Sequence, residues 1–207
     1  MSDGAALDSS GAVRVARLET ERFVLRALTD ADLSWLTEMN GNPDVMRYIR
    51  PVDESLTPDE QRRAAREMTE RVIERFRGRP FGFWAIEEAG APAPLGWGAL
   101  KNLDTSEEIE VGYALFPWAW GRGVATEVAR RLIRHGFEDL GLDRIVAVTR
   151  PENIASQHVL QKAGLHYLGI VDRYYGKPTA YFELLRPEWD AANKGPDSPQ
   201  NAANIDG

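Results

Sequence analysis

Gly121 and Gly123 stand where a strand pattern gives way to a helix pattern, and that junction is the first place in the chain with chemistry to offer. Upstream, Ile109, Val111, Tyr113 and Leu115 alternate with Glu110, Gly112 and Ala114, the period-2 signature of a strand. Downstream, apolar residues recur at helical spacing from Val128. Glycine accepts positive φ and lets a ligand approach the backbone closely. The first turn of a helix adds unpaired N–H groups at the positive end of its dipole. The expected guest is an anion, above all a phosphate, although a Gly-x-Gly corner also serves simply as a tight turn. Two phosphate patterns can be tested. The P-loop needs Gly-Lys-Ser/Thr, whereas Val124 and Ala125 follow Gly123. The dinucleotide fingerprint wants a third small residue where Thr126 stands, although Asp143 lies about twenty residues on. Neither fits well.

A wider set of residues carries a resemblance. Glu110-Val-Gly-Tyr-Ala-Leu-Phe-Pro117, Trp120-Gly-Arg-Gly-Val-Ala-Thr-Glu127, Pro151-Glu-Asn-Ile-Ala-Ser156 and Val159-Leu-Gln-Lys-Ala-Gly-Leu165 together resemble the GNAT N-acetyltransferases, and among them the RimJ/RimL-type branch. The family's Gln/Arg-x-x-Gly-x-Gly/Ala signature falls on Trp120 to Ala125, with Trp120 departing from the usual first residue. The resemblance spans residues 18–185. It implies an α/β fold with a mixed, mostly antiparallel central sheet and helices on both faces. It also implies acetyl-CoA as donor, direct transfer in a ternary complex, and neither a metal nor a covalent enzyme intermediate.

Residue by residue, the resemblance gives the pyrophosphate to the N–H groups of Arg122, Gly123, Val124 and Ala125, with Thr126. The end of the strand at Leu115 and Phe116 is expected to splay and take the pantetheine arm. Asn153 matches a cofactor-contacting asparagine and is also a helix N-cap. Glu110, on the strand face opposite Ile109, Val111 and Tyr113, is the candidate general base, acting directly or through water. Where many relatives have a tyrosine on the next helix, this chain has Leu160, which leaves Ser156 as the nearest hydroxyl. An alcohol is a far weaker acid than a thiol of pKa about 8.5, so Ser156 is expected to steady the leaving thiolate by a hydrogen bond. Trp35, Met46, Tyr48 and Phe76 are the candidate acceptor wall, for a protein N-terminal amine or a small-molecule amine. The alternative is a module that binds acetyl-CoA or a nucleotide without catalysis.

The elements that must position these residues are legible in order. Residues 22–28 read as a first strand, and Thr29-Asp-Ala-Asp32 opens a short helix that stops at Asn40-Gly41. Asn42-Pro43 is a second start. Thr57-Pro58-Asp-Glu60 is a capping box with proline in the first turn, leading into Ala65, Met68, Val72 and Phe76 on one face and ending at Gly78. Residues 81–87, 95–102 and 108–116 form a meander, with a Gly/Pro-rich turn over residues 88–94. Such short-linked strands are antiparallel, which argues against a doubly wound dinucleotide fold. A helix to Gly141, a buried strand at 145–148, a helix from Asn153 to Gly164 and strands at 166–172 and 179–185 complete the domain.

Composition sets the outer bounds. The chain has 207 residues, enough for one domain with a sizeable core. It has no cysteine, hence no disulfide and no thiolate nucleophile or metal ligand, and its three scattered histidines make no metal triad. Of the net charge of −7, the residues from Glu188 onward hold −3. The rest favours solubility and argues against nucleic-acid binding. Residues 1–17 and 188–207 are rich in small and polar residues without periodicity and read as disordered tails around a domain at 18–187. No signal peptide or membrane span is visible, so a cytoplasmic monomer or homodimer is expected.

Overall fold

The computed structural model describes residues 15–193, apart from 51, 52, 54, 77, 78 and 80. The chain opens with the strands Leu18–Glu19 (β1) and Phe23–Ala27 (β2), then the helices Leu33–Asn40 (α1), Pro43–Met46 (α2) and Pro58–Phe76 (α3). The starts of α2 and α3 follow from their caps. Asn42 Oδ1 accepts from the N–H groups of Asp44 and Val45, and Glu60 Oε2 accepts from the Thr57 N–H at 2.8 Å, as a capping box requires. The meander then runs through Phe83–Glu88 (β3), Ala91–Asn102 (β4) and Ile109–Leu115 (β5). Val124–Glu138 (α4), Arg144–Thr149 (β6), Ile154–Lys162 (α5), His166–Val171 (β7), Thr179–Leu185 (β8) and Arg186–Asn193 (α6) complete it.

All eight strands join one sheet in the order β1-β2-β3-β4-β5-β6-β8-β7. Every neighbouring pair is antiparallel except β5 and β6. The alternation of the strands sorts side chains to two faces. On one face Trp84, Leu100, Val111 and Phe182 pack with Val128, Leu132 and Phe137 of α4 and Leu160 of α5, forming the main core. On the other, Ala114 joins Met39 and Met46 of the N-terminal helices with Phe116, a smaller core. Among the described residues no helix is long and apolar enough to cross a membrane.

Two expectations need correction. The expected turn over residues 88–94 shrinks to Ala89-Gly90, and β4 already begins at Ala91 and runs through Pro94. The pairing slips on either side of Glu87, and proline is tolerated where an irregular ladder asks for no N–H. The domain also reaches beyond 187. Trp189 of α6 rests on Phe137 with ring centroids 5.4 Å apart, and Trp84 Nε1 donates to the Ala16 carbonyl at 2.7 Å. A single large aromatic anchors a segment whose composition is otherwise that of a tail. The remainder of both expected tails lies outside the described residues.

The N-terminal helices are fastened by Asp32. Its carboxylate, nearly fully buried, accepts from Arg26 Nη1 and Nη2 at 2.8 and 2.7 Å and from Trp35 Nε1 at 2.7 Å. Burial alone would raise its pKa, but the hydrogen bonds from Arg26, Trp35 and Thr29 outweigh that and hold it at about 2. A carboxylate whose folded pKa is depressed contributes stability above its unfolded pKa of about 3.9, lost as pH falls toward the folded value. Asp32→Asn should therefore lower unfolding stability on the order of 2 kcal/mol at pH 7. In urea titrations at pH 7, 4 and 3, the gap between wild type and variant should narrow only at the most acidic points.

Candidate active site

The parallel pairing of β5 with β6 is confined to Glu110↔Val146, so beyond Glu110 the two strands part. Phe116 N–H donates to the Leu95 carbonyl, which fixes the ladder phase with β4 and turns the backbone groups of Tyr113 and Leu115 away from that strand. They face the opening left by β6. A cavity of about 530 Å³ lies there, and its lining includes Tyr113, Leu115, Gly121, Val124, Asn153 and Ser156.

The start of α4 gives this cavity its charge. Gly123, the N-cap, has φ 78° and supplies no side-chain cap, while Gly121 has φ 71°. The first N–H bonded back to the N-cap carbonyl belongs to Glu127, so those of Val124, Ala125 and Thr126 precede the helical ladder, and all three residues line the cavity. The fit to a pyrophosphate is direct: uncommitted N–H donors, the positive end of a fifteen-residue helix, and an N-cap position without a Cβ. Trp120 closes the turn by donating its indole N–H to the Leu115 carbonyl at 2.9 Å, which accounts for an aromatic at the signature's first position.

Two donor-side expectations are revised. Arg122 does not line the cavity; its guanidinium lies 2.9 Å from Glu88 Oε1, an ion pair between the turn and β3. Phe116 also stays out, its buried ring stacked on Trp118 at 6.0 Å, so only Leu115 of the two strand-end residues lines the cavity. Sequence reasoning missed Arg22, which holds the first-turn Glu127 at 2.7 Å and the Arg122 carbonyl at 3.1 Å. It also missed Lys162, an ammonium at the cavity edge.

Asn153 Oδ1 caps α5 by accepting the Ser156 N–H at 3.1 Å, and both residues line the cavity. The structure adds Tyr113, whose hydroxyl lies 3.1 Å from Ser156 Oγ and donates to the Ser156 carbonyl. Burial pushes the Tyr113 phenol up, against a smaller lowering by the Ser156 hydrogen bond, so it remains a protonated donor. Its place on the β5 face was legible from the alternation; its partner, across a long gap in sequence, was not.

On the opposite face of the sheet Glu110 is buried, not solvated. Its carboxylate accepts from Lys101, its register partner on β4, and from the Tyr175 hydroxyl at 2.7 Å. Burial alone would lower Lys101, but Glu110 and Tyr175 outweigh it and hold the ammonium above the ordinary lysine range. Tyr175 is raised, first by burial and then by Glu110. Its backbone is left-handed, φ 53°, as is that of Asp104, φ 51°. The two clasp each other: Tyr175 N–H donates to Asp104 Oδ2 at 2.8 Å and Asp104 N–H donates to Tyr175 Oη at 3.2 Å. Strained non-glycine residues of this kind concentrate at functional sites.

Lys101, Asp104 and Tyr175 border a second cavity, also about 530 Å³, between the sheet and α3. Of the four expected acceptor-wall residues, Phe76 lines it. Tyr48 lies instead in the donor cavity, Met46 is buried in the smaller core, and Trp35 is held by Asp32 and lines neither cavity. Helical periodicity marks apolar positions without telling a wall from a core. Ile49 lines both cavities.

A sheet parted beside a helix N-terminus, with a cavity at the parting, is the architecture of an acyltransferase that binds a CoA ester. Residues 22–166 match the acetyltransferase (GNAT) domain, and the chain belongs to that family and is an N-acetyltransferase. It is 31% identical over 175 residues to the uncharacterized N-acetyltransferase YoaA of Bacillus subtilis, covering 82% of this chain and 97% of that protein. Solved folds of similar shape include Mycobacterium smegmatis RimJ in complex with CoA-disulfide, with TM-score 0.66, 19% identity, and 84% and 88% of the two chains covered. Another is a Vibrio cholerae spermidine N-acetyltransferase in complex with CoA and spermine, with TM-score 0.65, 19% identity, and 82% and 99% covered. The GNAT family uses acetyl-CoA.

Proposed function

We propose that the chain transfers acetyl from acetyl-CoA to a primary amine within a ternary complex, as a member of the RimJ/RimL-type branch. The observation that carries this reading is a donor cavity floored by uncommitted N–H groups that shares Ile49 with a second cavity, whose Lys101 and Tyr175 hold a buried carboxylate. Acetyl-CoA, when bound, supplies the activated acyl group as a thioester. Val124, Ala125 and Thr126 hold its diphosphate through their N–H groups, and the edge of β5 that β6 leaves open, at Tyr113 and the Leu115 N–H, takes the arm.

Glu110 accepts the proton that frees the amine lone pair. The Tyr175 hydroxyl, which touches Glu110 and borders the second cavity, is the path between them. Lys101 is an ammonium at neutral pH and so orients the carboxylate instead of serving as the base. As the nitrogen bonds to the acetyl carbon the carbon–sulfur bond breaks. Of the three protons of the ammonium, one ends on Glu110, one on the sulfur, and one stays on the amide nitrogen. Tyr113 and Ser156 form the hydroxyl pair that steadies the departing thiolate.

The test is free thiol released, and a mass gain of one acetyl group, when the protein meets acetyl-CoA and a primary amine. Tyr113→Phe should lower kcat about 10- to 100-fold and Ser156→Ala by less, since Tyr113 can still donate; raising pH should rescue neither. CoA binding without thiol release on any amine would leave only a binding module.

A further inference from the structure

We propose that the second cavity accepts a primary monoamine carried on an apolar body of aromatic size. The inference rests on the acetyltransferase reading and adds the chemistry of the acceptor.

The lining is the first argument. Met68, Val72 and Phe76 of α3 line the cavity together with Phe83 and Trp97 of the sheet, and all five are only half-buried. Three of the rings form an edge-to-face run: Phe76 on Phe83 at 5.3 Å and 62°, Phe83 on Trp97 at 5.1 Å and 65°. Apolar surface gathered around one void gains most from a guest that displaces its water. Two polar side chains of the lining are already partnered within the protein. Asn40 Nδ2 donates to Thr69 Oγ1 at 2.9 Å, which donates in turn to the Ala65 carbonyl at 2.8 Å.

Charge is the second argument. Arg75 and Lys101 border the cavity with one acid, Asp104, whose carboxylate already accepts the Tyr175 N–H. Glu110 behind them is matched by Lys101. One ammonium can be received at Tyr175, where its proton leaves; a second would find Arg75 and the single carboxylate of Asp104 on the described lining, the charge of Lys101 being matched by Glu110. The described lining therefore gives most of its surface to an apolar body and little to further ammonium groups, which favours a monoamine over a polyamine or aminoglycoside. Position is the third argument, because Ile49 lines both cavities and so sets the second one beside the donor cavity. The same chemistry occurs in a free arylalkylamine and at the N-terminus of a peptide with an aromatic first residue.

The experiment measures kcat/KM for thiol release by the full chain with phenethylamine, a Phe-Ala-Ala amide, methylamine and spermidine. Phenethylamine or the peptide should exceed both methylamine and spermidine by at least about 100-fold, and whichever leads names the source. Phe76→Ala and Met68→Ala should each shrink the ratio of that aromatic amine to methylamine about tenfold, through KM more than kcat. Spermidine as the best acceptor would overturn the proposal. So would a ratio unmoved in both variants while CoA affinity and melting temperature hold. Thiol release with none of the four would overturn the proposal as well, whereas the acetyltransferase reading falls only if CoA binds and no amine of any class releases thiol.

Discussion

Gly123→Val is expected to weaken CoA binding at least about 100-fold, close to 3 kcal/mol, while the protein remains folded. The native φ of 78° and ψ of 2° lie in the left-handed region, which a β-branched residue enters only at a cost of about 1–2 kcal/mol. Relieving that strain rotates the peptides on either side, and these aim the Val124 and Ala125 N–H groups at the cavity. A Cβ at this position also comes within 3.4 Å of Arg22 Nη2, the cation that holds Glu127 away from the anion site. Displacing Arg22 would return a carboxylate's charge to the first turn of α4, where the guest is itself anionic. The side chain faces solvent and not the core, so the melting temperature should fall by only about 2–8 °C. Calorimetry with CoA reads the affinity and a thermal scan reads the fold. Affinity equal to wild type would show that the turn is structural and that the diphosphate binds elsewhere.

Much of this site was legible before any coordinates. Local signals placed Gly121 and Gly123 between strand and helix, Asn153 at a cap and the meander ahead of the turn, because propensity and periodicity act within a few residues. The groups that finish the chemistry come together over long separations. Tyr113 and Ser156 are 43 residues apart, Glu110 and Tyr175 are 65, and the latter meet only because the β7–β8 loop folds back over the β4–β5 turn. Nothing in the local pattern around Tyr175 marks it, since its left-handed backbone depends on Asp104 across the gap. Lys101 is the intermediate case: the hairpin register sets it opposite Glu110, so pairing the strands on paper would have found it. Trp35 and Met46 show the reverse limit, since apolar residues on acceptor-side helices are as readily consumed by packing as presented to a ligand.

Glu110→Gln should lower kcat/KM about 100- to 1000-fold at pH 7 with one identified amine, and the loss should shrink as pH rises. An alkylamine of pKa near that of lysine, about 10.4, is almost wholly ammonium at neutral pH and has no lone pair to attack with. Solvent supplies tenfold more free amine for each unit of pH, so a variant without its base regains rate along that slope and wild type regains less. The substitution also strips Lys101 of the carboxylate that raises it. Burial then dominates, and the Lys101 pKa falls. A neutral Lys101 beside Tyr175 would be a substitute base and would flatten the recovery. The double variant Glu110→Gln/Lys101→Met removes that route, and its rate should follow the free-amine fraction. The pH–rate series is therefore run on wild type, the single variant and the double variant, with CoA affinity checked for each. A Glu110→Gln enzyme matching wild type at every pH would show that deprotonation occurs before binding and that the buried pair only orders the sheet.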